Sequence, residues 1–187
     1  PARHHDSCHD RTDRNGFMKA LRILIADDHD VVREGVRMLL QSQKHWRICD
    51  EAVNGREAVE KAKQHRPDVV VLDFSMPELN GVEAARQIRK ALPRTEVLIL
   101  TMHDSEQLAR EALAAGARGL LVKTDVRRHL VAAVEALAEH KPFFASAVSS
   151  LLLDAFLSSW VWLGFGHRSF QSQHDAALKG QRPTLPA

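Results

Sequence analysis

A chain of 187 residues has room for one domain of ordinary size with tails. Hydrophobic residues make up 44% and charged residues 27%, a globular balance that excludes wholesale disorder. Lys plus Arg is 26 against 24 Asp plus Glu, so a formal charge of +2 gives no bulk attraction to nucleic acid, and two cysteines, Cys8 and Cys49, exclude a disulfide-dense scaffold.

Residues 1–17 have no apolar period and no secretory pattern, so they read as a disordered leader. His4, His5, Cys8 and His9 are metal-capable there, but close spacing on a floppy segment suits adventitious binding better than a built site. Ordered pattern begins after Met18. Leu21–Ala26 is apolar and too short for a helix, which predicts a strand. Residues 30–42 follow as a helix with Val31, Val32, Val36, Met38, Leu39 and Leu40 on its apolar face. Trp46–Val53 is the second strand, and the Ala-, Glu- and Lys-rich run Gly55–Gln64 the second helix. Val69–Leu72 is the third strand, and Asn80 precedes a helix carrying Val82, Ala85, Ile88 and Ala91. Val97–Leu100 and Leu120–Val122 are the fourth and fifth strands, with helices at Ser105–Ala115 and Val126–Glu139.

Strands alternating with helices of this length predict βαβ units and a parallel sheet. Val69–Leu72 and Val97–Leu100 are apolar throughout, as expected of strands covered by helices on both faces. The predicted fold is α/β, a doubly wound (βα)5 sandwich over residues 18–140.

Ligands bind at the carboxyl ends of the strands in such sheets. Asp27 and Asp28 follow the first strand, Asp73 the third, Thr101 the fourth and Lys123 the fifth. Crowded carboxylates need a cation, and their hard oxygens suit Mg²⁺. A Lys opposite supplies a point charge for an anion, and a hydroxyl supplies a donor. Together they make a place where a carboxylate accepts a phosphoryl group. Each has a plainer reading, since strand-end Asp residues often form turns or cap helices, as Asp28 or Asp30 would. Their placement at successive strand ends favours the joint reading.

The acidic pair in ILIADDHD, then VVLDFSMPELNG, VLILT and AGARGLLVK, resembles the response-regulator receiver family of two-component signalling from about Leu21 to Glu139. The most specific element is Leu72, Asp73, Met76, Pro77 and Gly81 in that spacing. The stretch ADDHDVVREGVRMLL is similar to the subgroup with a LuxR/NarL-type DNA-binding domain. The resemblance implies a flavodoxin-like five-stranded sheet in the order 2-1-3-4-5. It implies Asp73 as phosphoacceptor, with Mg²⁺ bound by Asp28, by Asp27 largely through water, by Asp73 and by the Ser75 backbone carbonyl. Thr101 becomes the switch hydroxyl, and Lys123 the partner of the phosphorylated carboxylate. Pro77 and Gly81 shape the loop after Asp73. It implies a cytoplasmic protein, a cognate sensor histidine kinase and a homodimer, but no enzyme. Two positions depart from the family pattern. Leu120 stands where an aromatic residue is common, and Thr124 follows Lys123 where Pro is common.

Beyond the receiver, residues 141–157 read as a linker helix, with Phe144, Val148, Leu151, Leu152 and Ala155 as a stripe. Residues 143–166 are long enough to span a bilayer, but Asp154 within them argues against a membrane span. Residues 158–187 are broken by Gly and Pro and show no helix-turn-helix pattern, so DNA binding would need an output domain not visible here. Two other classes fit the residues less well. A Mg²⁺-dependent phosphohydrolase with Asp73 as nucleophile would need an acid near it, where Ser75 stands. A pseudo-receiver used only as a dimerisation or interaction module would not need all five site residues.

Overall fold

A computed structural model of the chain describes residues 20–144. The predicted leader, its His/Cys cluster, most of the linker helix and of the candidate span, and the C-terminal tail fall outside those residues. The described part runs β1 (Leu21–Ala26), α1 (Asp30–Gln41), β2 (Trp46–Ala52), α2 (Gly55–His65) and β3 (Val69–Asp73). It continues with α3 (Gly81–Ala91), β4 (Glu96–Thr101), α4 (Glu106–Ala114), β5 (Gly119–Val122), a 3-10 turn (Lys123–Asp125), α5 (Val126–Ala138) and β6 (Phe143–Phe144).

The sheet is parallel throughout, in the order β2-β1-β3-β4-β5-β6. The flavodoxin-like order is therefore present, with one strand added at the edge. β3 and β4 are fully buried, which explains their unbroken apolar runs. Their side chains feed two cores. On one face Leu24, Val70, Leu72, Ile99 and Leu120 meet small residues of α2, α3 and α4, including Ala58, Ala85 and Ala109. On the other Ile23, Ile25, Val71, Leu98 and Leu121 meet α1 and α5 through Val36, Leu40, Leu130 and Val134. The helices leaving β1 and β3 thus go to opposite faces. That divergence opens a crevice between the carboxyl ends of two neighbouring strands.

Two expectations need correction. Val31 and Met38 do not belong to the buried face of α1; they are 86% and 65% exposed. At 100° per residue Val36 and Leu40 reach the sheet while positions 31 and 38, seven apart, stay together on the open side.

The predicted linker helix does not begin at 141. Helix α5 stops in a Schellman arrangement, with His140 at φ 59° and bonds from His140 N–H to Leu137 O and from Lys141 N–H to Ala136 O. Pro142 follows, and Phe143 and Phe144 then run extended beside Gly119 and Leu120 of β5. An open strand edge offers unpaired N–H and C=O groups, and this pairing satisfies part of it. The two rings part to opposite faces. Phe143 packs with the α1/α5 core and lies 6.4 Å from the His129 ring, while Phe144 packs with the core that holds Leu120.

Candidate functional site

Strand β1 delivers Asp27 and Asp28 to the crevice, and β3 delivers Asp73. Asp27 and Asp73 are only 1% and 2% exposed. Lys123, in the 3-10 turn after β5, reaches between them. Its Nζ lies 2.8 Å from Asp27 Oδ2 and 3.0 Å from Asp73 Oδ1. One ammonium thus answers two buried carboxylates from different strands. The sequence pairs Lys123 with Asp73; its equal hold on Asp27 is a finding of the structure.

Burial pushes the Asp73 carboxyl above the ordinary Asp range, and the neighbouring charge of Asp27 pushes the same way against the pull of Lys123. Burial disfavours the charged form of Lys123, but hydrogen bonds to Asp27 and Asp73 outweigh it and raise its pKa. Asp73 Oδ2 is buried without a hydrogen-bond partner among the described residues. Such an atom is costly unless something binds it.

Asp28 stands on the open side with His29 beside it. The His29 ring Nδ1 is 2.9 Å from Asp28 Oδ1 and 3.4 Å from Asp27 Oδ1, and its backbone N–H donates to Asp27 Oδ1 at 2.9 Å. Ligand atoms of Asp27, Asp28, His29 and Asp73 all lie within 4.8 Å of one another. That is the span of a single coordination sphere, and three carboxylates plus an unpartnered buried oxygen fit a hard divalent cation. His29 also caps α1 by position, so neither Asp28 nor Asp30 is its N-cap.

Thr101 ends β4, 1% exposed, with its hydroxyl between the backbone N–H and carbonyl of His103 at 3.2 and 3.3 Å. Ser75 is exposed in the loop after β3. Leu120 is buried in β5 opposite Ile99. No cis peptide occurs among the described residues, so Lys123–Thr124 is trans. Gly81 starts α3 and donates to Phe74 O at 2.9 Å, while Asn80 caps the helix by accepting from Glu83 N–H at 2.8 Å. Together they fold the loop after Asp73 back onto its own strand.

The chain matches the response regulator receiver domain family over residues 23–135. It belongs to that family. It is 36% identical over 133 residues to the uncharacterized transcriptional regulatory protein YxjL of Bacillus subtilis (strain 168), covering 71% of this chain and 61% of YxjL. It is 36% identical over 139 residues to the oxygen regulatory protein NreC of Staphylococcus epidermidis, covering 74% of this chain and 64% of NreC. Among solved structures it resembles a LuxR-family two-component response regulator from Aurantimonas sp. SI85-9A1, with 32% identity and a TM-score of 0.68, covering 74% of this chain and 99% of that one. In sequence and in structure the receiver is therefore close to the NarL/LuxR type. The chain spans somewhat over three fifths of the length of these two curated relatives. No helix among the described residues is long and apolar enough to cross a membrane.

Two residues of this neighbourhood carry no expectation from the sequence. His29 joins the acidic cluster, and its only signal is its place directly after the acidic pair. Arg33 holds the turn behind that pair, as described below.

Proposed function

We propose that this receiver is a phosphorylation-driven switch whose acceptor is Asp73. The carrying observation is the uncommitted Oδ2 of Asp73 at a strand end, beside a Lys-bridged acidic pair. A sensor histidine kinase would supply the phosphoryl group. A carboxylate oxygen of Asp73 forms the new O–P bond while the P–N bond of the phosphohistidine breaks. The imidazole leaves with the electron pair and takes up a proton. Bound by Asp27, Asp28, Asp73 and the Ser75 carbonyl, Mg²⁺ would neutralise charge on the phosphoryl oxygens. Lys123 pairs with the modified carboxylate, and Thr101 turns its hydroxyl from the His103 backbone to the new oxygens.

The group transferred stays on the protein, so the chain acts as a switch in the cytoplasm and turns over no separate substrate. Names of the relatives support transcriptional regulation by the parent protein; in this reading a homodimer reaches DNA through an output domain. Leu120 favours a second reading. It has neither ring nor hydroxyl at the position that commonly couples to the switch, which suits a receiver used only for protein contact. Intact mass after incubation with a small acyl phosphate and Mg²⁺ separates the two. A single Mg²⁺-dependent adduct, absent in Asp73→Asn, supports the switch. No adduct, where another receiver is labelled, supports the contact module.

A further inference from the structure

The peptide that joins the two acidic residues is held from behind by Arg33. This side chain is only 14% exposed and reaches three parts of the fold. Its Nη1 donates to the backbone carbonyl oxygen of Asp27 at 2.7 Å, its Nε to Glu51 Oε2 of β2 at 3.0 Å, and its Nη2 to Asp30 Oδ1 at 2.5 Å. The Glu51 end is itself fixed. Arg37 Nε lies 3.6 Å from Glu51 Oε1, and Lys61 of α2 donates to the Glu51 carbonyl while pairing with Asp50 at 3.2 Å and Glu57 at 2.6 Å.

The geometry at Asp27 gives this contact its reach. The Asp27 N–H still makes a sheet bond, to Ala52 O at 3.2 Å, but its carbonyl has turned to Arg33. That carbonyl carbon is bonded to Cα of Asp27 on one side and to N of Asp28 on the other. A peptide unit is planar, so one hydrogen bond to its oxygen orients the plane between both acidic residues. A guanidinium can make this bond and the Glu51 bond at once because its donors form a rigid fork; an ammonium cannot copy that geometry. Asp30 and Glu51 balance the guanidinium charge, so Arg33 is no counter-ion for the carboxylates in front.

We propose that Arg33 is a positioning residue for the cation site, setting the direction from which Asp27 and Asp28 face Asp73, with Glu51 as its anchor. The proposal rests on the phosphoryl-acceptor reading above. It is distinct from a simple helix-to-sheet tie, because it ties the site's cation affinity to a side chain that touches neither cation nor phosphoryl group.

The test compares the full chain with Arg33→Gln, Arg33→Lys and Glu51→Gln. Mg²⁺ affinity is read by calorimetry, adduct formation from a small acyl phosphate across a Mg²⁺ series, and folding by thermal melts. Arg33→Gln is expected to weaken Mg²⁺ binding about tenfold, the usual scale for an outer-shell partner, while saturating Mg²⁺ brings the adduct rate back to within about twofold. Arg33→Lys rescues little of the affinity, and Glu51→Gln weakens it about threefold, a smaller loss of the same outer-shell kind. A variant that melts earlier yet binds Mg²⁺ as the parent does would make Arg33 a structural tie and overturn the proposal. Should Arg33→Gln fail to fold, unchanged Mg²⁺ affinity in Glu51→Gln overturns it equally. The parent reading fails separately: a native chain that binds Mg²⁺ but takes no adduct loses the acceptor role while the Arg33 comparison still decides.

Discussion

A β-carbon on Gly81 would lie 2.1 Å from the backbone oxygen of Asp73. The first turn of α3 thus rests directly on the Asp73 main chain, with only a hydrogen atom between. Gly81→Ala must push that backbone or the helix away. It is expected to cost at least about 1–3 kcal/mol, the usual range for overpacking, and to slow phosphoryl acceptance as well. Urea unfolding and the intact-mass assay check the two effects. Native stability with native labelling would contradict the contact.

Asp73 sets a pH dependence whose sign follows from its raised pKa. In the unfolded chain Asp titrates near about 3.9. In the folded protein the proton is held to higher pH, so between those two values the folded state binds more protons than the unfolded one. Stability from this group therefore falls as pH rises through that window. Above that window Asp73 is a cost to the fold. Asp73→Asn is expected to melt higher than the parent at neutral pH without divalent cation, with the gap closing as the pH is lowered. Melts over a pH series measure it; a variant that melts no higher at neutrality rejects the assignment.

Lys123 is the internal cation of two buried carboxylates. Lys123→Gln leaves both uncompensated, and breaking a buried pair costs about 3–5 kcal/mol. Added Mg²⁺ is expected to raise the melting temperature of this variant more than that of the parent, because the carboxylates have then lost the ammonium they share. Equal gains in the two proteins would show that Lys123 and the cation do not share the same oxygens.

At the opposite end of β4 stands a second charged group that the acceptor site does not need. Glu96 is 3% exposed, with Arg118 Nη1 at 3.4 Å, Arg89 Nη1 at 3.8 Å and His140 Nδ1 at 2.7 Å. Glu96→Gln removes the anion these groups share and is expected to cost about 2–3 kcal/mol. Five residue steps of strand separate Glu96 from Thr101, about 16 Å, so the labelling rate should stay native once the variant is folded. Denaturant melts and the mass assay check both halves.

The placement of Asp27, Asp73, Thr101 and Lys123 on one edge was legible because each closes an apolar run. An Asp after VVVL, a Thr after VLIL and a Lys after LLV need no long-range information to be placed on one sheet edge. The five strands were legible for the same reason, and helix ends differ from expectation by a residue or so. Arg33 was not legible. Its meaning comes from Glu51, 18 positions away in β2, and a single Arg on a helix carries no sign of such a partner. Nor was β6. Phe144 fits a helical stripe with Val148 and Leu151, and two residues show no strand period. What decides their conformation is the open edge of β5, a tertiary fact.

That short strand sets a course for the chain. Because His140 reverses the backbone after α5 and β6 runs parallel to β5, the step from Phe143 to Phe144 points toward the edge where Lys123 and Asp73 lie. It ends level with Leu120, three residues or about 10 Å below Lys123. A departure from the free end of α5 would point the other way. Phe143 and Phe144 are thus fastened to the strand that leads into Lys123, so a shift in β5 moves them with it.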